Sequence, residues 1–203
     1  IFSCNNTSKT EVKSVTVRQE WFPNANYAGE LVGAKEFAKG ENISIKIEAG
    51  SDNIDPIKLV LSGKNDFGVV GADKVLMANE AGANLVVIGV INYNSPTCFL
   101  ALESKKIHAP KDFEGKTVGV LTGTATEYVY RALLNKAGVD GNKIKEVEAP
   151  FDLATFIAGG YDVRPAFIYD EPVSLDAQNQ KYSIINPSEY GVSFIGTVYF
   201  TTR

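Results

Sequence analysis

Apolar and polar positions in this chain follow two different periods, and the periods take turns. Residues 14–18 (SVTVR) and 43–48 (ISIKIE) alternate at every second position, the pattern of a strand with one buried face. Two unbroken apolar runs, 67–70 (FGVV) and 85–91 (LVVIGVI), also predict strands, the second covered on both faces. Between these strands, Leu31, Val32, Ala34, Phe37 and Ala38 fall on one stripe of a helix over 29–39. Asp55-Pro56 opens another helix, because Asp suits the N-cap and Pro the first turn. The second half repeats the alternation. A strand at 116–121 (KTVGVL) and a loop at 122–126 lead into a helix at 127–137, which Gly138 stops. A strand at 144–149, a helix at 152–158 and a strand at 163–168 follow; Pro165 lies inside the last, where it cannot donate to a ladder. A turn-rich stretch, 186–192 (NPSEYGV), precedes a final strand at 197–201. Strands alternating with helices predict an α/β protein with largely parallel sheets.

One short motif occurs twice. Gly63-Lys64-Asn65-Asp66 leads into FGVVGAD, and Gly159-Gly160-Tyr161-Asp162 leads into VRPAFIYDE. Each Gly-x-x-Asp is followed after six residues by a loop position, Asp73 in one copy and Tyr169 in the other. Each copy also follows a similar strand-loop-helix-strand-helix succession. Two similar lobes, each with a mostly parallel sheet and a cleft between them, are therefore expected. The expected division is 14–92 plus 196–203 for the first lobe and 93–195 for the second. The strand ending at Arg203 reads as the start of a return into the first lobe, with helices expected beyond it.

Composition narrows the functional classes. The chain has 203 residues, is 44% hydrophobic and carries a net charge of −4, without a basic run. Nucleic acid is accordingly not an expected partner. No apolar stretch approaches the ~20 residues of a membrane span. Two distant cysteines, Cys4 and Cys98, and a single histidine, His108, make neither a disulfide framework nor a zinc site. Thr122-Gly123-Thr124-Ala125-Thr126 feeds a helix N-terminus, a place that binds anions, but it lacks the Walker spacing and its lysine. No cofactor or metal is expected. Ile1-Phe2-Ser3-Cys4 resembles the tail of a bacterial lipoprotein signal, with Cys4 the acylated residue and 1–13 a polar tether. The alternative is a frayed terminus with a chance cysteine.

Further motifs carry a family resemblance. Trp21-Phe22-Pro23-Asn24-Ala25-Asn26-Tyr27-Ala28-Gly29 resembles the W-x-P-N/Q-x-x-x-x-G loop of thiamine-precursor and riboflavin substrate-binding proteins, within the wider group that also binds alkanesulfonates, taurine and nitrate. Asp55-Pro56, residues 66–73 (DFGVVGAD), 110–120 (PKDFEGKTVGV), 169–172 (YDEP) and 187–192 (PSEYGV) match as well, so the likeness runs over 14–203. The segments 37–42 and 158–163 are shorter than in that family. The resemblance implies a type II periplasmic-binding-protein-like fold and the extracytoplasmic substrate-binding component of an ABC importer. It further implies permease and ATPase partners, a periplasmic or cell-surface location and a lipid anchor. Its ligand would be a small aromatic heterocycle, a thiamine pyrimidine precursor or riboflavin, held by hinge closure without chemistry.

In open α/β sheets ligands bind beyond the carboxyl ends of the strands. The loops expected there contain Trp21, Asn24, Tyr27, Asp73, Asn94, Ser95, Thr122, Thr124, Tyr169, Asp170 and Glu171, and the resemblance of 190–192 (YGV) to the thiamine-pyrimidine binders adds Tyr190. The aromatic rings suit stacking and the polar groups suit orientation of a flat ligand. Glu171 is the first choice for a carboxylate facing amino-substituted ring nitrogens. Simpler readings stand beside these: Trp21 as a core residue, Asp73 as the cap of a helix starting at Lys74, Glu171 as a helix-start acid, and His108 as a surface turn residue. Other functions weighed are binding of a sulfonate or another small metabolite, a sensor lobe, and a pyrimidine-synthase-like enzyme. The last is disfavoured because no Ser-His or Cys-His arrangement assembles around His108.

Overall fold

The computed structural model describes residues 12–51, 53–150 and 152–203. Cys4 and most of the expected tether lie outside the described residues. In chain order the first elements are β1 (Lys13–Arg18), α1 (Ala28–Val32), β2 (Ile43–Glu48), α2 (Pro56–Leu61), β3 (Phe67–Gly71), α3 (Ala72–Glu80), β4 (Leu85–Val90) and β5 (Thr97–Leu102). They are followed by β6 (Thr117–Val120), α4 (Ala125–Lys136), β7 (Lys145–Glu148), α5 (Ala154–Ile157), β8 (Val163–Phe167), α6 (Glu171–Ala177), β9 (Tyr182–Ile185) and β10 (Thr197–Thr202). The chain divides into two compact units, one made of residues up to Ile91 plus Thr197–Arg203, the other of Asn92–Gly196.

The two units share one topology. The first sheet runs β2-β1-β3-β10-β4 and the second β7-β6-β8-β5-β9. In each, three parallel strands stand in a 2-1-3 order, and the strand beside the third is antiparallel to both of its neighbours. That antiparallel strand is β10 in the first unit and β5 in the second, the first strand entered after each passage between units. The duplicated Gly-x-x-Asp has a structural cause. Gly63 and Gly159 both take left-handed φ, +73° and +81°. Each Asp then bonds a threonine of the neighbouring strand: the Asp66 carboxylate accepts from the Thr16 amide at 2.7 Å, and that of Asp162 from the Thr117 amide at 2.9 Å.

Each sheet carries a core cluster on both faces, since successive side chains of a strand point to opposite sides. In the first unit Val70, Val198 and Phe200 pack with Val60, Val75 and Leu85, while Val69 and Val17 pack with Tyr27. In the second, Phe99, Val118 and Val163 join Phe113, Tyr130 and Leu133, while Cys98, Leu100 and Ala166 join Phe156 and Leu175. Neighbouring residues 69 and 70, or 99 and 100, thus point to opposite cores. Burying each such aromatic or aliphatic side chain stabilises by ~1.5–3 kcal/mol.

Several expectations are corrected. The run at 85–91, expected to be covered on both faces, forms an edge strand with β10 as its sheet neighbour, and Val87 and Ile88 are 42% and 55% exposed. The helix expected over 29–39 is instead a succession of 3-10, α, π and 3-10 turns from Ala25 to Glu41. The π turn at Gly33–Phe37 adds a residue to the repeat and breaks the i, i+3, i+4 stripe. Phe37 ends 71% exposed, and of the five stripe residues Ala38 is the buried one. Pro165 is tolerated in β8 because β8 pairs with β6 only at Val163 opposite Val118, so on that side no ladder reaches the proline. β9 was not expected from the pattern, whereas α6 starts at Glu171, as the helix-start reading of that acid has it.

Candidate functional site

In a 2-1-3 order the crevice lies where the connections diverge, between the carboxyl ends of the first and third strands. In the first unit these are β1 and β3. The loop after β1 holds Trp21, 36% exposed, with its ring edge-on to Phe22 at 5.7 Å. The loop is pinned to its neighbour by Gly50, whose amide donates to the Trp21 carbonyl at 3.0 Å. A Cβ at Gly50 would stand 2.2 Å from the Glu20 backbone, so only glycine permits this approach. The Asn24 side chain accepts from the Asn26 amide at 2.9 Å and starts the first helical turn. Tyr27, expected among the ligand contacts, is 4% exposed and packs into the core. Asp73 sits in the first turn of α3, which begins at Ala72, so it is not the cap of a helix starting at Lys74.

A carboxylate that pattern reasoning passed over bridges this crevice. Glu20 accepts from the Gly71 amide at 3.2 Å through one oxygen and pairs with Lys74 through the other. It thereby ties the end of β1 to the end of β3. Its position two residues past the end of β1 was the one available signal.

The second unit contains a cavity of about 260 Å³ at the same edge of its own sheet. Because β5 runs antiparallel, its start lies beside the ends of β8 and β9, and all three line the space. Of the expected residues Asn94, Ser95 and Tyr169 meet there, joined by Asn92, Thr97, Cys98, Ile168, Asn186 and Ser188. The polar groups are held in place: Ser193 donates to Asn94 at 3.0 Å, Ser95 to Thr97 at 3.1 Å, and the Ser188 hydroxyl to Asn186 at 2.9 Å. Tyr169 stacks on Phe167 with centroids 5.9 Å apart and planes 6° from parallel. Asn186 and Ser188 belonged to the turn-rich stretch after β9; without β9 in view, nothing assigned them to this edge. Cys98 is 1% exposed, and burial with the nearby Glu171 charge pushes its thiol up to about 12, leaving it neutral and unreactive.

The remaining expected residues are engaged elsewhere. Thr122 donates through hydroxyl and amide to Glu148, the Gly123 amide donates to Glu127 at 2.8 Å, and the Thr124 hydroxyl donates to the Leu121 carbonyl. The loop expected to attract anions therefore already has two of the chain's own carboxylates on its amides. Glu171 uses both oxygens inside the unit, accepting from the Phe167 amide at 2.8 Å and from Arg164 at 3.3 Å. Asp170 lies exposed ahead of α6 without a side-chain cap bond. Tyr190 packs against the core cluster of Phe99 and Tyr130. Arg164, a charge within an apolar strand, went unremarked in the sequence. It is 1% exposed and also reaches Tyr161 Oη and the carbonyls of Pro150 and Asp152.

Residues 24–203 match the family described as NMT1/THI5 like. A formylaminopyrimidine-binding protein of Halalkalibacterium halodurans is 24% identical, over 94% of this chain and 59% of its own length. The periplasmic aliphatic sulphonate binding protein SsuA of Escherichia coli superposes with a TM-score of 0.74 at 18% identity, over 94% of this chain and 62% of that one. PhnD1 of Prochlorococcus marinus, solved in complex with methylphosphonate, gives 0.65 at 14% identity, over 95% and 77%. The chain thus spans less than two thirds of the length of the first two. The structural likeness places the fold among the type II periplasmic binding proteins. With the family match running from residue 24 to residue 203, the chain belongs to the NMT1/THI5-like family.

Proposed function

We propose that this chain is the substrate-binding component of an ABC importer, and that the carboxyl-edge loops of its sheets take a small nitrogen heterocycle of the aminopyrimidine type. The observation that carries this reading is the chemistry of those loops. They offer an exposed indole, a stacked tyrosine, and a cavity lined by amides and hydroxyls, which suit a flat ligand rich in donors and acceptors. They also carry a negative bias. In the second unit, loops 92–96, 121–126, 152–153, 167–171 and 186–191 contain Asp152, Asp170 and Glu189, besides the Arg164-paired Glu171, and no Lys, Arg or His. In the first, Lys74 is paired with Glu20. A sulfonate or phosphonate would meet carboxylates where it needs cations, whereas an amino-substituted or protonated ring is attracted. The formylaminopyrimidine-binding relative is consistent with that preference.

The reading brings with it permease and ATPase partners, a periplasmic or cell-surface location, and acylation at Cys4. No helix among the described residues is long and apolar enough to cross a membrane. Binding rather than chemistry is proposed: His108 is an exposed residue facing Glu103 at 3.8 Å.

The test is a fluorescence titration, since Trp21 is the only tryptophan. Formylaminopyrimidine, hydroxymethylpyrimidine, thiamine, riboflavin and taurine are compared. We expect an aminopyrimidine to bind most tightly and to perturb Trp21, and Trp21→Ala to weaken it at least ~10-fold, about 1.4 kcal/mol. Taurine binding more tightly than every heterocycle would overturn the charge argument, and no binding by any of the five would overturn the ligand class.

A further inference from the structure

Gln19 and Glu30 stand at the two ends of the loop that carries Trp21 and Asn24. Gln19 follows β1 directly, and Glu30 lies in the first turn of α1. Gln19 is 0% exposed, and its Nε2 donates to Glu30 Oε1. The other oxygen of each group, Gln19 Oε1 and Glu30 Oε2, is buried without a hydrogen-bond partner. An ionised Glu30 makes both of these orphans acceptors, and two acceptors cannot satisfy each other. A carboxylic acid has the donor that a carboxylate lacks. One proton on Oε2 lets it donate to Gln19 Oε1, and the two groups then form a reciprocal acid–amide pair with every polar atom matched.

We propose that Glu30 is a positioning residue and that, with its proton in place, the Glu30–Gln19 acid–amide pair clasps loop 20–29 against the sheet. Its surroundings agree with this. Burial pushes the Glu30 carboxyl up from its ordinary 4.5, against the smaller opposing effects of the hydrogen bonds from Gln19 and Tyr199. Tyr199, on β10, is the titratable group that faces Glu30. Burial and the carboxyl it hydrogen-bonds hold that phenol up to about 12, so it stays neutral, and its bond to Glu30 still leaves Gln19 Oε1 unmatched. Glu20, next along the chain, turns away to Gly71 and Lys74. The folded state therefore binds the proton more tightly than the unfolded chain does. The clasp is complete at low pH and opens as pH rises through the folded-state midpoint of Glu30.

That Trp21 touches a ligand rests on the proposed function; the proton on Glu30 does not, and the test uses no ligand. The carboxyl carbon of Glu30 is followed by NMR in the full chain from about pH 4 to about pH 9, together with acrylamide quenching of Trp21. We expect a midpoint above 4.5 and a rise in Trp21 quenching through that midpoint. In Glu30→Gln the new amide can donate to Gln19 Oε1 as the acid does, so quenching should stay at its low-pH level throughout. A carboxyl titrating at or below 4.5, or a quenching step that persists unchanged in Glu30→Gln, overturns the proposal. Should that variant fail to fold, the carbon titration of the natural chain decides alone.

Discussion

A charged side chain inside a central strand loses its hydration, and only a full set of partners offsets that loss. Arg164 has such a set: Glu171, the Tyr161 hydroxyl and the carbonyls of Pro150 and Asp152. Through them it joins β8 to the loop before α5 and to the start of α6, next to the Tyr169 wall of the cavity. Arg164→Met strands the half-buried Glu171 carboxylate, and we expect a stability loss of about 3–5 kcal/mol by urea unfolding. A loss under ~1 kcal/mol would mean that the network is effectively solvated. Asp66 gives a second residue-level prediction. The Thr16 amide and hydroxyl hold its carboxyl below the ordinary 3.8. A depressed folded value contributes stability that is present above 3.8 and is lost as pH falls through the folded midpoint. Asp66→Asn should accordingly flatten the acid limb of the stability curve, read by denaturant unfolding at a series of low pH values.

Elements are set by their ends and by what passes close to them. The Asp55 carboxylate accepts from the Ile57 and Lys58 amides at 3.0 and 3.3 Å, with Pro56 in the first turn of α2. For Asp55→Ala we expect a loss of about 1 kcal/mol, since the cap bonds go and little else changes. β3 depends on a missing side chain. A Cβ on Gly68 would stand 2.3 Å from the Phe200 ring. Gly68→Ala should cost about 1–3 kcal/mol through overpacking, and Phe200→Leu in the same chain should return part of it. A double variant no more stable than Gly68→Ala alone would show that the clash is not with that ring.

At the scale of the molecule, the two units differ in how the chain builds them. Asn92–Gly196 is one continuous stretch that contains its own five strands and both of its core clusters. The first unit depends on β10, from the far end of the chain, to stand between β3 and β4 and to bring Val198 and Phe200 into its core. We expect a fragment of residues 92–196 to fold alone, with dispersed amide resonances and a cooperative urea transition. A fragment ending at residue 91 should lack both, because β4 would have no strand to pair with. A cooperative transition in that shorter fragment would refute this account of the first sheet.

What was legible in the sequence was what depends on neighbours along the chain. Alternation marked β1 and β2, Asp55-Pro56 marked the start of α2, and the repeated Gly-x-x-Asp marked the duplication, because each reports a local period, cap or turn. The edge position of β4, the π turn before Ala38 and the inward-facing Tyr27 depended on which elements became neighbours, and that is set by packing between distant segments. Candidate site residues divided the same way. Asn94, Ser95 and Tyr169 were recognisable as loop residues after or between strands. Their meeting with Asn186 and Ser188 required the antiparallel insertion of β5 between β8 and β9. Glu171 and Thr122 looked available in the sequence, yet Arg164 and Glu148 engage them in the fold, since a partner distant along the chain leaves no mark on local pattern. The sequence by itself determined the kinds of elements and their repeat; only the tertiary structure decided which polar groups satisfy one another and which line the cavity, because those neighbours are brought together by packing between distant segments.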